Sequence, residues 1–487
     1  MNLNALLKDI DHKKNKDFNP NVLNLTCDSN EVKKDFVFAC LKGTNFDGHD
    51  FAEKAISLGA CAVLVEKDLK LENQILVEDS HKAYAKMCAN FYDNPAEKLK
   101  IIGVTGTNGK TSVTKLIKNI LTKQGKKVGL IGTIQNEIEE KILKTEKTTP
   151  SPLEFQQLLY LMLYNGCEYV VMEVSSHALV QQRIADTIFQ VAVFTNLTQD
   201  HLDYHKTMED YYNAKKMLFK RCKRAVICVD DEYGQQLTKE ITCQFTSFAI
   251  YNQKANFLAK DVVLTSENVK YVLQSSALKE EVCFCTPGIF SVYNTMAAFI
   301  SCLLIGQNPK DIAKSIHSCP PISGRCEKID VNTNYTVICD YAHTPDGLKN
   351  ILSSINIYKK ARLIALFGCG GNRDKNKRPK MGEIAAKNAD FLIITSDNPR
   401  TEKPEKIIDD ILIGVKKTST PYVKIPDRKQ AIYYALKNAK KDDIILLAGK
   451  GHEKYQVVGT KKIEMDEIEI VKAAVKELEI QKNLKKY

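Results

Sequence analysis

The segment that most constrains the fold of this chain is an apolar run that leads directly into a glycine-rich turn and a helical pattern. Residues 101–106 are IIGVTG, and the turn GTNGKTS occupies residues 106–112. Apolar residues then recur at helical spacing from Val113 to Leu121. Strand, glycine turn and helix in this order begin an α/β unit, which predicts a largely parallel sheet covered by helices.

The turn itself predicts a phosphate-binding loop. A glycine-rich turn that opens a helix directs backbone N–H groups and the positive helix end at phosphate oxygens. Lys110 can neutralise the β- and γ-phosphates of ATP, and the Thr111 hydroxyl can bind Mg²⁺. The loop departs from the strict GxxxxGK(S/T) pattern, because Val104 stands where that pattern has its first glycine.

Three further apolar runs predict buried strands in the same unit. They are YVVMEV at residues 169–174, FQVAVFTN at residues 189–196 and RAVICVD at residues 224–230. Near-continuous apolar runs are typical of parallel strands that are covered on both faces. Residues 244–286 alternate instead, which predicts shorter strands.

Changes in composition divide the 487 residues into three predicted α/β domains. Proline and charged residues in NPAEKLK, at residues 94–100, precede the phosphate loop. After Pro320 and Pro321 the strand–helix rhythm resumes with TVICDY, RLIALFG, FLIITSD and IILLAG, which predicts a Rossmann-like domain. We expect a small N-terminal domain at residues 1–98, a central P-loop-type ATPase domain with a mostly parallel sheet at residues 99–325, and a C-terminal domain at residues 326–487.

The composition argues against several classes of protein. The fifteen cysteines are spread from Cys27 to Cys369 without a CxxC pair, which is typical of core residues in a reducing compartment. The longest apolar stretch, residues 296–306, is well short of the ~20 residues that a membrane span needs. The net charge of +11 comes from scattered lysines rather than a basic stripe, which argues against nucleic-acid binding. We expect a soluble, cytoplasmic protein.

Polar residues follow the predicted strands at the edge where ligands bind in open α/β sheets. Glu173 ends the strand YVVMEV, and His201 and His205 lie in the polar segment QDHLDYHKT. A carboxylate at this edge can help to hold Mg²⁺ beside ATP phosphates. The residues alone leave both histidines open as metal ligands or as structural side chains.

Together these motifs resemble those of the Mur ligase family, whose members extend the peptide of a cell-wall precursor by ATP-dependent amide formation. The resemblance covers essentially the whole chain and implies the family's three-domain α/β fold. The matching segments are GTNGKTS, MEVSSHALVQQR, FTNLTQDHLDYH, NAKKMLF, SGRCE, DYAHTPD, FGCGGNRDKNKRP, SDNPRTEKP and LAGKGHE.

The resemblance implies roles for residues around ATP and Mg²⁺. The loop that binds ATP in the family is matched here by Gly106, Thr107, Asn108, Gly109, Lys110, Thr111 and Ser112. Contacts to the nucleotide are also implied for Asn294, Arg325 and Asp340. Mg²⁺ is expected at Thr111, Glu173, His201 and Lys215, and Lys110, Glu173, His201 and Lys215 are the implied catalytic residues.

A carbamoylated lysine of the family matches Lys215, with Lys216 as the adjacent alternative. Addition of CO₂ turns the cationic side chain into an anion that can bridge metal ions. Carbamate formation requires a neutral amine, so we expect the surroundings of this lysine to lower its pKa. The helical pattern alone would place both lysines on an exposed face.

The resemblance also implies a UDP-N-acetylmuramoyl dipeptide as the acyl substrate. Residues matching the uridine-nucleotide contacts are Cys27, Ser29, Thr44, Asn45 and Phe46. Residues matching the contacts to the muramoyl dipeptide are Thr148, Thr149, Ser175, Gln181 and Arg183. The planar fork of Arg183 suits a carboxylate. Lys147 departs from the family, which commonly has asparagine there.

The expected amino-acid substrate is meso-diaminopimelate, which the last domain would bind. The segment Asp397, Asn398, Pro399 and Arg400 resembles the family's signature for this substrate, and Gly449 matches a further contact. Diaminopimelate differs from lysine by a second carboxylate, for which Arg400 and Arg373 supply bidentate donors, while Glu453 can receive an ammonium group. A site built around such a polar group can reject an analogue lacking it by ~10⁴-fold.

Other functions stay open at this stage. A lysine-adding relative would lack the arginine of DNPR, and a folylpolyglutamate-type ligase would share the GTNGK loop but not the uridine-nucleotide domain. A catalytically idle nucleotide-binding regulator would not need Lys110, Thr111, Glu173, His201 and Lys215 together. We expect a monomer without nucleic-acid or membrane partners.

Overall fold

A computed structural model of the chain describes residues 1–43 and 46–484. Its elements follow one another in three units, at residues 3–98, 100–317 and 327–484, which we call the N-terminal, central and C-terminal units. Each unit is built on a sheet of its own. The predicted α/β class is confirmed. Within the described residues, no helix has the length and apolar character required to span a lipid bilayer.

The N-terminal unit has a parallel sheet in the order β1-β2-β3-β4. Apolar clusters cover both faces of this sheet, with Leu25 and Leu64 on one face and Phe38 and Val63 on the other. Its elements are α1 (Leu3–Leu6), β1 (Asn24–Thr26), β2 (Phe36–Ala39), a 3₁₀ helix (Gly48–Phe51), α2 (Ala52–Ser57), β3 (Ala62–Val65), β4 (Gln74–Leu76), α3 (Ser80–Phe91) and a 3₁₀ helix (Pro95–Lys98).

The central unit begins with the predicted strand, phosphate loop and helix. Its elements are β5 (Lys100–Thr105), α4 (Lys110–Lys123), β6 (Val128–Ile131), β7 (Asn136–Ile138), β8 (Lys141–Leu143), α5 (Pro152–Tyr164), β9 (Tyr169–Glu173), α6 (Ser176–Val180), β10 (Phe189–Phe194), α7 (Leu202–His205), α8 (Met208–Lys216), a 3₁₀ helix (Met217–Arg221), β11 (Cys222–Cys228), α9 (Glu232–Glu240), β12 (Gln244–Ala249), β13 (Phe257–Leu264), β14 (Val269–Gln274), β15 (Lys279–Phe284), α10 (Ile289–Leu304) and α11 (Pro309–His317).

The central sheet has the order β15-β14-β13-β12-β11-β10-β5-β9-β6-β7-β8. Its middle strands are parallel, and the chain adds antiparallel strands at both edges. Side chains of β5 alternate between two buried clusters, because Ile102 and Val104 face α4 and α10 while Ile101 faces α5. The expectation of a mostly parallel sheet is therefore confirmed, and side-chain burial alternates along β14 as expected. The expectation of shorter strands in residues 244–286 was wrong, since β13 alone has eight residues. Alternation there reflects an antiparallel edge with one solvated face rather than short strands.

The C-terminal unit is a second α/β layer with the sheet order β16-β17-β21-β18-β19-β20, parallel except at β16. Its elements are β16 (Glu327–Ile329), β17 (Thr336–Asp340), α12 (Pro345–Tyr358), β18 (Leu363–Phe367), α13 (Lys377–Asn388), β19 (Phe391–Ile394), α14 (Pro404–Val415), β20 (Tyr422–Lys424), α15 (Arg428–Lys437), β21 (Ile444–Ala448), β22 (Tyr455–Val458), β23 (Lys461–Glu464) and α16 (Glu467–Leu484). Helices α12–α14 cover one face, and α15 and α16 cover the other.

Helices α13 and α14 approach so closely that their contact requires a glycine. A Cβ atom on Gly414 would lie 1.8 Å from the carbonyl oxygen of Pro379 and 2.7 Å from the amide nitrogen of Glu383. These are backbone atoms, so the helices would have to move apart. Both helices begin beside the loops at residues 370–376 and 396–402, so their spacing also sets the position of those loops.

We predict that Gly414→Ala lowers the free energy of unfolding by about 1–3 kcal/mol, because added volume in a packed contact forces backbone shifts. Ile413→Ala is the matched control, since Ile413 lies on the same helix with 58% of its side chain exposed. That control should stay within about 0.5 kcal/mol of the wild type. Equal urea unfolding midpoints for Gly414→Ala and the wild type would contradict the steric argument.

Candidate active site

A cavity of about 400 Å³ lies at the carboxyl ends of β5, β9, β10 and β11, between the central unit and the start of α12. In open α/β folds, ligands bind at this edge of the sheet, where the strands have their carboxyl ends. Predicted site residues that line this cavity are Thr107, Asn108, Gly109, Lys110, Thr111, Ser112, Thr148, Glu173, Ser175, His201, Lys215, Asn294, Arg325 and Asp340. The structure therefore brings together residues that are distant in the sequence. The widest separation, between Thr107 and Asp340, is 233 positions.

Two lysine side chains meet at one backbone oxygen of the phosphate loop. The Lys110 ammonium donates to the carbonyl oxygens of Gly106 and Thr107, each at 2.9 Å. The Lys215 ammonium donates to the same Gly106 oxygen at 2.8 Å. Gly106 has a φ of 144°, and a Cβ there would lie 1.9 Å from Thr195 Oγ1. The loop therefore needs glycine to place this carbonyl between the lysines.

Burial changes the ionisation of both lysines. Loss of hydration lowers the pKa of Lys110, and it lowers the pKa of Lys215 well below its usual value. The charge of Lys110 lowers the pKa of Lys215 further. Lys215 is 1% exposed, although the helical pattern suggested an exposed side chain. Its neighbour Lys216 instead points to the surface, where its ammonium is 2.9 Å from Glu240.

Glu173 is buried at the end of β9 and is held by neutral donors. One carboxylate oxygen accepts from the Thr111 hydroxyl at 3.0 Å and from the Thr133 amide at 2.9 Å. The other oxygen accepts from the Thr133 hydroxyl at 3.0 Å. Thr133 was not found from the sequence, because it lies in an irregular segment without a recognisable motif. It fixes both oxygens of the carboxylate.

The donors in this part of the cavity fit Mg²⁺. Thr111 and Glu173 supply hard oxygen atoms, and His201 lines the same cavity. Within residues 1–43 and 46–484, no cluster of three or more His, Cys, Asp or Glu side chains could hold a metal by itself. A metal ion here would thus need phosphate oxygens as well, which is the usual way in which proteins bind Mg²⁺ beside ATP.

The histidines differ in their relation to the cavity. His201 has a φ of 54° at the start of α7 and lines the cavity. His205 turns away, stacks on Tyr211 with ring centroids 5.0 Å apart, and its Nε2 lies 2.8 Å from the Ser176 hydroxyl. Burial lowers the pKa of His205 to about 4. The structure places His205 in a structural role and His201 at the cavity.

At the opposite end of the cavity, side chains of the central unit contact the C-terminal unit and the segment before it. The Arg325 guanidinium donates to the Thr111 hydroxyl at 3.0 Å and lies over the Tyr341 ring at 4.6 Å. Asn108 donates to the Asp346 carboxylate at 2.9 Å. Asp340 accepts backbone N–H groups from Cys326 and Ala342, each at 2.7 Å. Burial raises the pKa of Asp340 and that of Asp346.

Asn294 and its neighbours on α10 form the wall beside the phosphate loop. A Cβ atom on Gly109 would lie 2.5 Å from Asn294 Oδ1, so the asparagine approaches the loop closely. The Tyr293 hydroxyl donates to Asp230 at 2.8 Å. Aromatic and apolar side chains of Phe248, Phe290 and Ile351 also line this end. The wall combines apolar surface with an amide, as a nucleoside base requires.

The residues predicted to bind the dipeptide form a connected polar group next to Glu173. The Thr149 hydroxyl donates to the Glu173 carbonyl at 2.8 Å and accepts from the Ser175 amide at 3.0 Å. Arg183 donates to the Thr149 carbonyl at 2.8 Å and to Gln181 at 2.6 Å. Of these residues, Thr148 and Ser175 line the cavity itself, and the hydrogen bonds connect the others to them through Thr149.

The predicted uridine-nucleotide residues lie on the N-terminal unit. Cys27 is exposed, Ser29 is half-buried, and Phe46 is 63% exposed. Thr44 and Asn45 lie outside the described residues. Nearby, Gln182 donates to the Asp79 carboxylate at 2.5 Å, which connects the N-terminal and central units.

The predicted amino-acid residues converge on the C-terminal unit. The Asn398 amide donates to Glu453 at 3.0 Å, while its oxygen accepts from Lys450 at 2.8 Å. Lys450 is fully buried and was not predicted from the sequence. Gly449, with a φ of 111°, follows β21, and a Cβ there would lie 2.7 Å from a carboxylate oxygen of Asp397.

Arg400 lies at the rim of this group in an uncommon backbone conformation. Its φ is 52°, and its backbone is fixed by hydrogen bonds with Val457 at 3.0 Å and Gly459 at 2.8 Å. Its guanidinium donates to the Gly371 carbonyl at 2.8 Å. Burial and the nearby charge of Arg373 lower the pKa of Arg400. Both arginine side chains lie beside Gly370, where a Cβ atom would be 3.0 Å from Arg400 Nη1 and 3.7 Å from Arg373 Cγ. Two neighbouring cationic side chains favour an anionic ligand.

The fold and the site define a P-loop-type nucleotide-binding protein with a second α/β unit closing over the phosphate loop. Three family descriptions match consecutive parts of the chain: "Mur ligase family, catalytic domain" at residues 21–92, "Mur ligase middle domain" at residues 104–302, and "Mur ligase, glutamate ligase domain" at residues 324–451. The chain belongs to the Mur ligase family.

Individual relatives are similar over nearly their whole length. A protein of Clostridium acetobutylicum named UDP-N-acetylmuramoyl-L-alanyl-D-glutamate--2,6-diaminopimelate ligase 1 is 46% identical, over 95% of this chain and 96% of its own. The ligase of that name from Caldanaerobacter subterraneus is also 46% identical, over 98% of this chain and 100% of its own. A solved structure of such a ligase is 31% identical with a TM-score of 0.68, over 94% of this chain and 95% of that chain.

We predict a pH-dependent effect for Asp231, which caps α9 and lines the cavity. Burial raises the pKa of its carboxyl to about 6. In the unfolded chain the pKa of an aspartate is about 3.9. Between about pH 3.9 and pH 6 the folded protein therefore binds a proton that the unfolded chain has lost. The free energy of unfolding of the wild type falls as the pH rises through this range. As the pH rises from 4 to 7, the free energy of unfolding of Asp231→Asn should therefore increase by about 2–3 kcal/mol relative to that of the wild type.

The measurement is the urea unfolding midpoint of both proteins across that pH range. The two carboxylate oxygens of Asp231 accept from the amides of Gly234 and Leu197, whereas the asparagine of the variant has only one acceptor oxygen. The variant should therefore differ from the wild type by a constant free energy of unfolding at every pH, in addition to the pH-dependent change. The slope is the informative quantity. Parallel stability curves for the two proteins would contradict the raised pKa.

Proposed function

We propose that this chain is an ATP-dependent amide ligase that joins meso-diaminopimelate to the D-glutamyl side-chain carboxylate of UDP-N-acetylmuramoyl-L-alanyl-D-glutamate, in peptidoglycan synthesis. The similarity to ligases of that name over 95–98% of the chain carries the proposal. The geometry supports it, because the cavity at the phosphate loop is linked to the polar group around Thr149 through Glu173 and to Glu453 of the amino-acid group through Tyr341.

The first step would activate the acyl substrate. The D-glutamyl carboxylate attacks the γ-phosphorus of ATP, which forms an acyl phosphate and releases ADP. Two anions must approach each other, so neutralisation of charge and fixed orientation are the main requirements. Lys110 can supply positive charge at the phosphates, and Arg183 can orient the peptide. Mg²⁺ at Thr111, Glu173 and His201 would neutralise the charge that develops on the phosphoryl oxygens.

The second step would form the amide. The amine of diaminopimelate attacks the acyl carbon, and phosphate leaves from the tetrahedral intermediate. The proposed role of Arg400 and Arg373 is to bind the distal carboxylate, while Glu453 and Asn398 orient an ammonium group. Tyr341 connects the two regions, because it lines the cavity and its hydroxyl lies 3.5 Å from Glu453. An enclosed site would protect the acyl phosphate from water.

We also propose that Lys215 is carbamoylated. A neutral lysine amine adds to CO₂ with loss of a proton and becomes a carbamate anion. The lowered pKa of Lys215 supports this choice over Lys216, whose ammonium is paired with Glu240. The carbamate would lie beside Gly106 and offset the charge of Lys110.

Each part of the chain would bind a different substrate. Residues 1–98 would bind the uridine nucleotide, residues 99–325 ATP, and residues 326–487 the amino acid. A single chain carries residues proposed for all three substrates, so we propose a monomer. Use of ATP and a uridine nucleotide implies a cytoplasmic location.

The test is phosphate release from ATP with the muramoyl dipeptide and either diaminopimelate or lysine. We expect release to require the dipeptide and to be about 10⁴-fold faster with diaminopimelate, since lysine has no second carboxylate to pair with Arg400 and Arg373. No dipeptide-dependent release would refute the ligase. Equal rates would refute the amino-acid assignment, and faster release with lysine would favour the lysine-adding alternative.

We predict that Lys215→Ala lowers kcat by at least about 10²-fold, as expected for loss of a group that stabilises transition-state charge. Added short carboxylates should restore part of the activity by replacing the carbamate. Lys216→Ala is the matched control, because it changes the neighbouring lysine at the surface. Near-normal turnover of Lys215→Ala, or equal losses in both variants, would contradict the carbamate assignment.

A further inference from the structure

The two largest fully buried side chains of the described residues are both arginines of the C-terminal unit, Arg378 and Arg428. Burial of a guanidinium is unfavourable unless every donor direction finds a partner. Arg428 begins α15 and is not among the residues that the proposed reaction uses. Its partners show what this buried charge does.

Arg428 connects three elements through one planar group. Its Nε donates to a carboxylate oxygen of Glu467 at 2.7 Å. One Nη donates to the Ser396 carbonyl at 3.2 Å, and the other donates to the Ala448 carbonyl at 2.8 Å. Glu467 begins α16 and is itself 1% exposed at its side chain. The ion pair is therefore fully shielded from solvent.

The two carbonyl groups that Arg428 holds lie directly before the two amino-acid loops. Ser396 precedes the loop Asp397–Arg400, and Ala448 precedes the loop from Gly449 to Glu453. The sheet order places β18 between β19 and β21, so these strand ends are not neighbours in the sheet. Arg428 is thus a direct link across β18 between the bases of the two loops.

We propose that Arg428, held by Glu467, is a positioning residue for the amino-acid site, because it fixes the spacing between these two loops. The inference rests on the proposed function. Asn398 and Glu453 are 3.0 Å apart across the loops, so a small change in spacing would separate them. Sites of this kind lose affinity when supporting hydrogen bonds no longer hold the contacting groups in position.

Arg428→Lys is the informative variant. Lysine keeps the positive charge, but a single ammonium on a flexible stem cannot hold three acceptors in fixed directions. We expect the KM for diaminopimelate to rise about tenfold, which corresponds to 1.4 kcal/mol. The KM values for ATP and the muramoyl dipeptide should change by less than about twofold, because Arg428 contacts none of the residues proposed to bind them.

Arg362→Lys is the matched control in the same sheet. Arg362 binds Asp443 with contacts of 3.2 and 2.5 Å, and both residues directly precede strands, so this pair lies at the amino ends of β18 and β21. The variant should lower the urea unfolding midpoint without changing the KM for diaminopimelate. Glu467→Gln is a second test, because it removes the partner charge while keeping the side-chain shape. It should also raise that KM selectively.

Steady-state phosphate release with the full chain distinguishes the outcomes. A selective rise in the KM for diaminopimelate in Arg428→Lys and Glu467→Gln, absent in Arg362→Lys, supports the inference. Unchanged KM values, or equal rises for all three substrates, overturn it. If Arg428→Lys does not fold, Glu467→Gln decides by the same criterion. A wild-type protein that is inactive with diaminopimelate contradicts the proposed function instead.

Discussion

The organisation of the site depends on two lysine ammonium groups that share one backbone oxygen. Lys110 and Lys215 both contact Gly106 O, at 2.9 and 2.8 Å. Like charges repel strongly where the effective dielectric constant is low, so this arrangement favours either a bound anion or a neutral amine. The proposed function meets this requirement in two ways, because ATP brings anionic phosphates and a neutral Lys215 amine can add CO₂ to become an anion. The crowding that lowers the pKa of Lys215 thereby also prepares it for reaction with CO₂.

The same loop is held by the C-terminal unit and by Arg325 in the segment that leads into it. Arg325 contacts the Thr111 hydroxyl at 3.0 Å, and Asp346 accepts from Asn108 at 2.9 Å. Side chains that could face phosphate are therefore already engaged by groups outside the central sheet. Nucleotide binding would have to exchange some of these contacts, which couples occupancy of the loop to the placement of the C-terminal unit. Such coupling suits a reaction whose intermediate must be kept from water.

The sequence allowed prediction of those parts that depend on local pattern. The phosphate loop, the parallel strands and Glu173 at a strand end follow from apolar runs and turn chemistry, and the family resemblance supplied the remaining site residues. Burial of Lys215 could not be found locally, because its partner Gly106 is 109 residues away. Thr133 stands in no motif, and Lys450 lies within LAGKGHE, but nothing in either segment indicates contact with Glu173 or Asn398, which are distant in the sequence. Helix α10 gave only an apolar stretch, because most of its residues are buried.

Buried arginines behind the amino-acid loops are a further case in which local pattern is misleading. Arg378 and Arg428 each begin or lie near the start of a helix, where a charged side chain is usually solvated. Instead Arg378 contacts Glu402 at 2.9 Å and Asp410 at 2.8 Å, and Arg428 contacts Glu467 at 2.7 Å. Well-packed apolar side chains often match or exceed the stability that such pairs provide. Apolar groups, however, cannot hold carbonyl oxygens of two separate strands at a fixed distance. The presence of Arg428, which holds two such oxygens, is therefore better explained by the geometry of the loop Asp397–Arg400 than by stability of the unit.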